Sequence, residues 1–126
     1  MTPFASLVSV AADKGRFPVL LLSDLAVHTR NIKLRPRASL LLAESEGMHG
    51  DPLVRQRLTL SGEVMPISDQ TGAARIFLNS HPDAAGYAAF GDFSYYHLIC
   101  SKGHLVAGFG RIAQLSAEEL FPQEFG

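Results

Sequence analysis

The sequence predicts a mainly β protein with inserted helices, an antiparallel barrel of the α+β kind. Three observations lead there. Short apolar or alternating runs recur along the chain, with turn residues between them. Helical periodicity is confined to brief stretches between those runs. And roughly six strands leave edges that a barrel closes.

The elements follow in order. Phe4 to Ala12 is apolar and rich in β-branched residues, and Asp13-Lys14-Gly15 follows as a turn. Phe17 to Ser23 is the second strand, so the pair reads as a hairpin. Ala26 to Leu34 is a short helix stopped by Pro36. Ala38 to Glu44 is nearly all apolar and reads as a strand covered on both faces. Ser45 to Val54, with Gly47, Gly50 and Pro52, reads as a mobile loop. Arg57 to Ile67 alternates: Leu58, Leu60, Gly62 and Val64 share one face, while Arg57, Thr59, Ser61 and Glu63 share the other. Asp69 caps a helix running to Ser80, and His81-Pro82-Asp83 breaks it before a shorter helix toward Tyr87. Phe93 to Ser101 and His104 to Leu115 read as two strands turned at Lys102-Gly103. Ser116 and Glu119 have the spacing of a capping box.

Composition narrows the class. The 126 residues fit one domain, spanning 1–126, and 47% hydrophobic content supports a packed core. A net charge of −1 argues against a general nucleic-acid binder. Yet six of the eleven Lys and Arg residues fall between Arg30 and Arg57. Cys100 is the single cysteine, which excludes an internal disulfide and fits a reducing compartment. No run has the length of a membrane span and no signal-peptide pattern opens the chain, so the expected location is cytoplasmic.

The segment Leu20 to Glu44 carries the densest chemistry. An apolar run ends in Ser23-Asp24, and His28, Thr29, Arg30 and Asn31 follow at a helix start. Free N–H groups and the positive dipole end make such a start an anion site. Hydroxyl, amide and guanidinium groups there suit a phosphate. The plainer reading is a capped helix with a solvated Arg30.

PFASLVSVA, LLLSDLAVHTRNIKLRPRASLLLAE, DPLVRQRLTLSGEV and HLVAGFGRIAQL together resemble the pyridoxamine 5′-phosphate oxidase-like FMN-binding split-barrel superfamily, and within it the haem-utilisation (HugZ-like) branch. The resemblance covers almost the whole chain. It implies a homodimer of split barrels with FMN at the interface. Ser6, Leu7 and Val8 would lie along the isoalloxazine ring. Ser23 would face the ribityl chain or phosphate, and His28, Thr29, Arg30 and Asn31 would hold the phosphate end. Arg57 and Leu58 would reach the flavin from the second subunit, and Phe109 and Gly110 would close near the ring. Such relatives carry an N-terminal helix and strand that are missing before Met1-Thr2-Pro3, and many carry a C-terminal domain where this chain stops at Gly126.

The expected function is therefore FMN binding, with the flavin passing a hydride or electrons between a small-molecule substrate and an electron donor. Haem binding or degradation is one alternative, and a flavin-binding dimer without turnover is another. FMN is expected to bind in preference to haem, because the C-terminal histidine region of the haem-utilisation branch is missing. No metal site is expected from His28, His49, His81, His97 and His104: none pair at helical spacing and no Cys joins them. His97 and His104 read as hairpin-surface histidines, and Cys100 as a buried apolar group. Tyr87, Phe90, Phe93, Tyr95 and Tyr96 read as core or dimer interface, or as a stacking surface for a flavin or substrate.

Overall fold

A computed structural model of the chain describes residues 3–44, 56–108 and 110–126. Six strands form one antiparallel sheet: β1 (Val10–Asp13), β2 (Arg16–Ser23), β3 (Arg37–Ala43), β4 (Arg57–Pro66), β5 (Phe93–Val106) and β6 (Ile112–Ser116). The spatial order is β1-β2-β5-β4-β3, with β6 also paired to β5. Among the described residues four α-helices are inserted: α1 (Val27–Leu34), α2 (Gln70–Ser80), α3 (Ala85–Ala88) and α4 (Ala117–Leu120). No helix among the described residues is long and apolar enough to cross a membrane. The mainly β reading with inserted helices holds.

Strand β2 explains how the core is divided. Its Val19 and Leu21 pack with Ala73 and Phe77 of α2 and with Tyr95. Its Leu20 and Leu22 point the other way, into a cluster with Leu60, Val64, Tyr96, Leu98 and Cys100. A strand between a helix and the interior of its own curled sheet reads as a continuous apolar run, as RFPVLLLS does. The same property was expected of Ala38 to Glu44. There the structure differs: β3 alternates between half-buried and exposed, and Leu41 is 63% exposed. Helix α2 lies over β1, β2 and β5, and among the described residues the outer face of β3 stays uncovered.

Two further expectations change. The first strand is short. Its ladder with β2 stops at Val10↔Leu20, and upstream Phe4 is exposed and Leu7 is 100% exposed. Of the apolar residues before Val10, Val8 packs against the barrel cluster, and the described strands offer the rest no ladder partner. The second change is larger. Lys102-Gly103 is not a turn, because β5 runs unbroken from Phe93 to Val106. The turn to β6 comes later, where the Ala107 N–H donates to the Arg111 carbonyl at 2.8 Å.

What stands near Lys102 is a β-bulge. Ser61 of β4 pairs with Lys102, but the next residue, Gly62, pairs with Cys100. Ser101 is the extra residue, and its hydroxyl donates to the Ser61 carbonyl at 2.9 Å. The bulge shifts the phase of β5. Tyr96, Leu98 and Cys100 face the core before it, and Gly103 is the next buried position after it. A Cβ at Gly103 would lie 2.6 Å from Cδ1 of Leu120, so that glycine lets α4 dock on the sheet. The break in alternation was thus real, but it marked a bulge and a close approach.

The C-terminal tail clamps the first hairpin. Phe17 meets Phe121 and Phe125 edge-on at 5.5 and 6.2 Å, and its N–H donates to Glu124 Oε2 at 2.8 Å. The capping box at Ser116 and Glu119 and the Asp69 cap of α2 both form as the sequence predicts.

Candidate functional site

Consecutive residues of an α-helix point about 100° apart around its axis, so four in a row do not converge. Helix α1 shows the consequence. His28 is half-buried, and its Nδ1 lies 2.8 Å from the Ser6 hydroxyl. Thr29 is 0% exposed and its hydroxyl has no partner among the described residues. Arg30 is exposed. Asn31 accepts the Arg35 N–H on its backbone carbonyl at 2.9 Å.

Acidic groups already occupy the surroundings. The Ser23 hydroxyl donates to Asp92 at 2.8 Å and accepts the Leu25 N–H at 3.2 Å. Asp24 receives a hydrogen bond from Lys33 at 3.1 Å, which raises the lysine pKa. Two of the segment's polar groups, the Ser23 hydroxyl and the Lys33 ammonium, are thus engaged by carboxylates.

The remaining flavin-contact candidates fall elsewhere. Leu7 is exposed, and Val8 is partly buried against the barrel cluster. Arg57 and Leu58 open β4, where Arg57 pairs with Ala43 and Val106, and Leu58 with Leu42 and Leu105. Gly110 sits in the β5–β6 turn with φ +72. Phe109 lies outside the described residues, as do His49 and the Ser45–Val54 loop. Ser23 is in register with Phe93 and Arg57 with Val106, so the two groups occupy opposite ends of β5.

A different surface does gather chemistry. The outward side chains of β3, β4, β5 and β6 form rows across the sheet. Leu41, Thr59, His104 and Gln114 make one row. Ala43, Arg57, Val106 and Ile112 make the next on one side. Ser39, Ser61, Lys102 and Ser116 make the next on the other. Leu41 and Ile112 are 63% and 64% exposed, so a broad apolar area flanks a central imidazole.

His104, expected at a hairpin surface, stands instead in the middle of this face and is its functional candidate. Its Nδ1 is hydrogen-bonded to the Gln114 side-chain amide. With the amide nitrogen toward the ring, Nδ1 accepts and the ring proton sits on Nε2. Turned over, the amide oxygen accepts from Nδ1–H and leaves Nε2 as a free lone pair. The second arrangement is the one a metal-ligating imidazole uses. The other described histidines have structural partners or partial burial. His81 Nε2 lies 2.7 Å from the Val10 carbonyl and its ring packs on Phe77. Among the described residues, no three His, Cys, Asp or Glu side chains form a metal-binding group.

The half-buried His28 and His97 make a pH prediction. Burial lowers both pKa values below the ordinary 6.5, although Glu124 and Asp13 oppose the shift at His97. As pH falls below about 7, the unfolded chain takes up these protons before the folded one does. Stability is therefore full above 6.5 and declines as pH drops through the two lowered values. Thermal midpoints should fall between about pH 7 and 5. Substituting both histidines by Asn should flatten that decline, and an unchanged slope would refute the assignment.

The CREG β-barrel family profile matches residues 1–122. The chain belongs to the CREG β-barrel family. This is the split-barrel group that the sequence resembled, so the fold and family expectations hold together. The chain shares 34% identity, over 98% of its length, with the chloroplastic non-canonical haem oxygenase HOZ of Arabidopsis thaliana. A solved haem-binding protein from Mycobacterium smegmatis superposes with a TM-score of 0.85 at 34% identity, over 96% of this chain. Campylobacter jejuni ChuZ, at 18% identity and a TM-score of 0.76 over 90% of this chain and 49% of its own, shares the fold. The chain spans 37% of HOZ and 50% of the mycobacterial protein.

These relatives correct the functional expectation. Both proteins at 34% identity are named for haem, and neither for a flavin. The reading as an FMN-dependent oxidoreductase that prefers FMN to haem is overturned.

Proposed function

We propose that this chain is a haem-binding module that acts in haem degradation, and that the outward face of β3–β6 is its haem surface. The observation that carries this reading is the 34% identity to a haem oxygenase over 98% of the chain. The face itself fits the group. A porphyrin needs a broad apolar area, an axial donor and cations for its carboxylates. Leu41, Val106 and Ile112 supply the first, and His104 supplies the second. Haem, when bound, supplies the redox-active iron at which dioxygen is activated. The chain's part is to bind and orient. His104 would ligate through Nε2, and Gln114 would fix the ring by accepting from Nδ1. The apolar rows would keep water from the macrocycle.

An open face covers only one side of a flat ligand. A second copy of the chain laid over it would cover the other, so we propose a homodimer with haem between the faces.

Haemin titration tests the reading. We expect a sharp Soret band that saturates at a fixed ratio of haem to chain. Light scattering should give a dimer mass for the complex. With ascorbate and oxygen, the Soret band should decay as iron becomes available to a chelator. A broad, unsaturable absorbance change would refute haem binding. A stable Soret band under reductant and oxygen would refute the degradative role alone.

A further inference from the structure

One pleat from His104, on the same outward face, a hollow of about 310 Å³ is lined by Arg37, Ser39, Ser61 and Lys102. Successive same-face residues of a strand stand about 7 Å apart, so Lys102 neighbours His104 closely. Two cations and two hydroxyls meet there, and the Ser39 and Ser61 hydroxyls are 3.0 Å apart. One hydroxyl of the pair donates to the other, which leaves a proton directed outward from the pair. Neither Arg37 nor Lys102 has an ion-pair partner among the described residues. Glu63 stands opposite Arg37 in register without pairing to it. With two cations, one neighbouring carboxylate and two hydroxyls, the hollow carries a net positive charge and hydroxyl donors, the chemistry that recognises a carboxylate.

We infer that this hollow is a carboxylate clamp, in which Arg37, Lys102 and the Ser39–Ser61 pair hold a propionate of the tetrapyrrole. The inference rests on the haem reading and adds an orientation to it. The clamp lies to one side of His104, beside the Ser61 row, while Val106, Ile112 and Ala43 lie on the other. A macrocycle ligated by His104 then has its carboxylate edge toward Lys102 and its apolar edge toward Ile112. Arg57, at the apolar end, already has an interaction within the chain. The clamp thus fixes which edge of the ring meets which end of the sheet.

Comparing haemin with haemin dimethyl ester tests this directly. The ester keeps iron and macrocycle but loses both negative charges. The native chain should bind haemin about ten- to a hundredfold more tightly than the ester, the scale of a lost charge-assisted hydrogen bond. The double variant R37Q/K102Q should lose that preference and bind the ester as the native chain does. Rising salt should shrink the preference in the native chain and not in the variant. Ser61→Ala is the milder check and should reduce the preference partly. Equal affinity of the native chain for both ligands overturns the clamp while leaving haem binding intact. A preference that survives in R37Q/K102Q overturns it too. Failure of both ligands to give a stoichiometric Soret band removes the haem reading, and the clamp with it.

Discussion

Replacing Gly62 with alanine is expected to lower stability by at least about 3 kcal/mol, a large part of the total for a domain of this size. The reason is space. A Cβ at this buried position would stand 2.0 Å from the Ile99 carbonyl oxygen and 2.9 Å from the Cys100 Cα. Those neighbours are backbone, and no rotamer change relieves them. Strand β5 would have to move off β4 at the bulge, where Gly62 pairs with Cys100. The ladder there also sets the phase of everything after Ser101, including Lys102 and His104. So the variant should weaken haem binding as well as the fold. Urea denaturation of the native and G62A chains, with haemin titration of whatever remains folded, checks both effects. A midpoint shift worth less than about 0.5 kcal/mol would show that β5 yields easily and that the close approach is not a constraint.

The bulge also explains what the sequence hid. Alternation along Leu58, Leu60, Gly62 and Val64 placed β4 correctly, because period two with one buried face leaves little freedom of register. A lysine and a glycine at 102 and 103 have the composition of a turn. A bulge uses the same composition to slip the phase by one residue. The clue was available in the residues themselves. Lys102, His104 and Val106 alternate with Gly103 and Leu105 in a phase opposite to that of Tyr96, Leu98 and Cys100. Two strands joined by a turn and one strand with a slip predict the same alternation. Only the partner strands β4 and β6 decide between them. The apolar runs of β2 and β3 posed a similar ambiguity. Either suits a doubly covered strand, and the position of α2 over β1, β2 and β5 settled which one it is. At α1 the sequence shows which residues stand at the helix start, and the helix geometry adds how their side chains are spread around its axis. His104 was lost as a consequence of the turn, since a histidine beside a hairpin tip has no platform around it.

With His104 in the middle of that platform, His104→Ala is the variant expected to change ligand binding most. Loss of an axial imidazole should weaken haemin binding at least about a hundredfold and move or broaden the Soret band. His104 is half-buried in the row of Leu41, Thr59 and Gln114, on the face away from the core cluster, so its removal should leave the thermal midpoint of the unliganded chain nearly unchanged. Gln114→Ala separates ligation from mere packing. It keeps the imidazole and removes only the group on Nδ1, so it should cost about ten- to a hundredfold in affinity and keep the ligated spectrum. Added imidazole should raise the haemin affinity of His104→Ala, because it replaces the missing protein ligand, and should not raise that of Gln114→Ala, which keeps its own imidazole. His97→Ala serves as the comparison on the same strand. Its ring is in register with Val19 and Met65, away from the rows that surround His104, and its Soret spectrum should match that of the native chain. A His104→Ala chain with the native spectrum and affinity would mean that the iron is held by another residue and that this face is not the haem surface. The order of effects, His104 first, Gln114 second and His97 absent, follows from which nitrogen each residue controls.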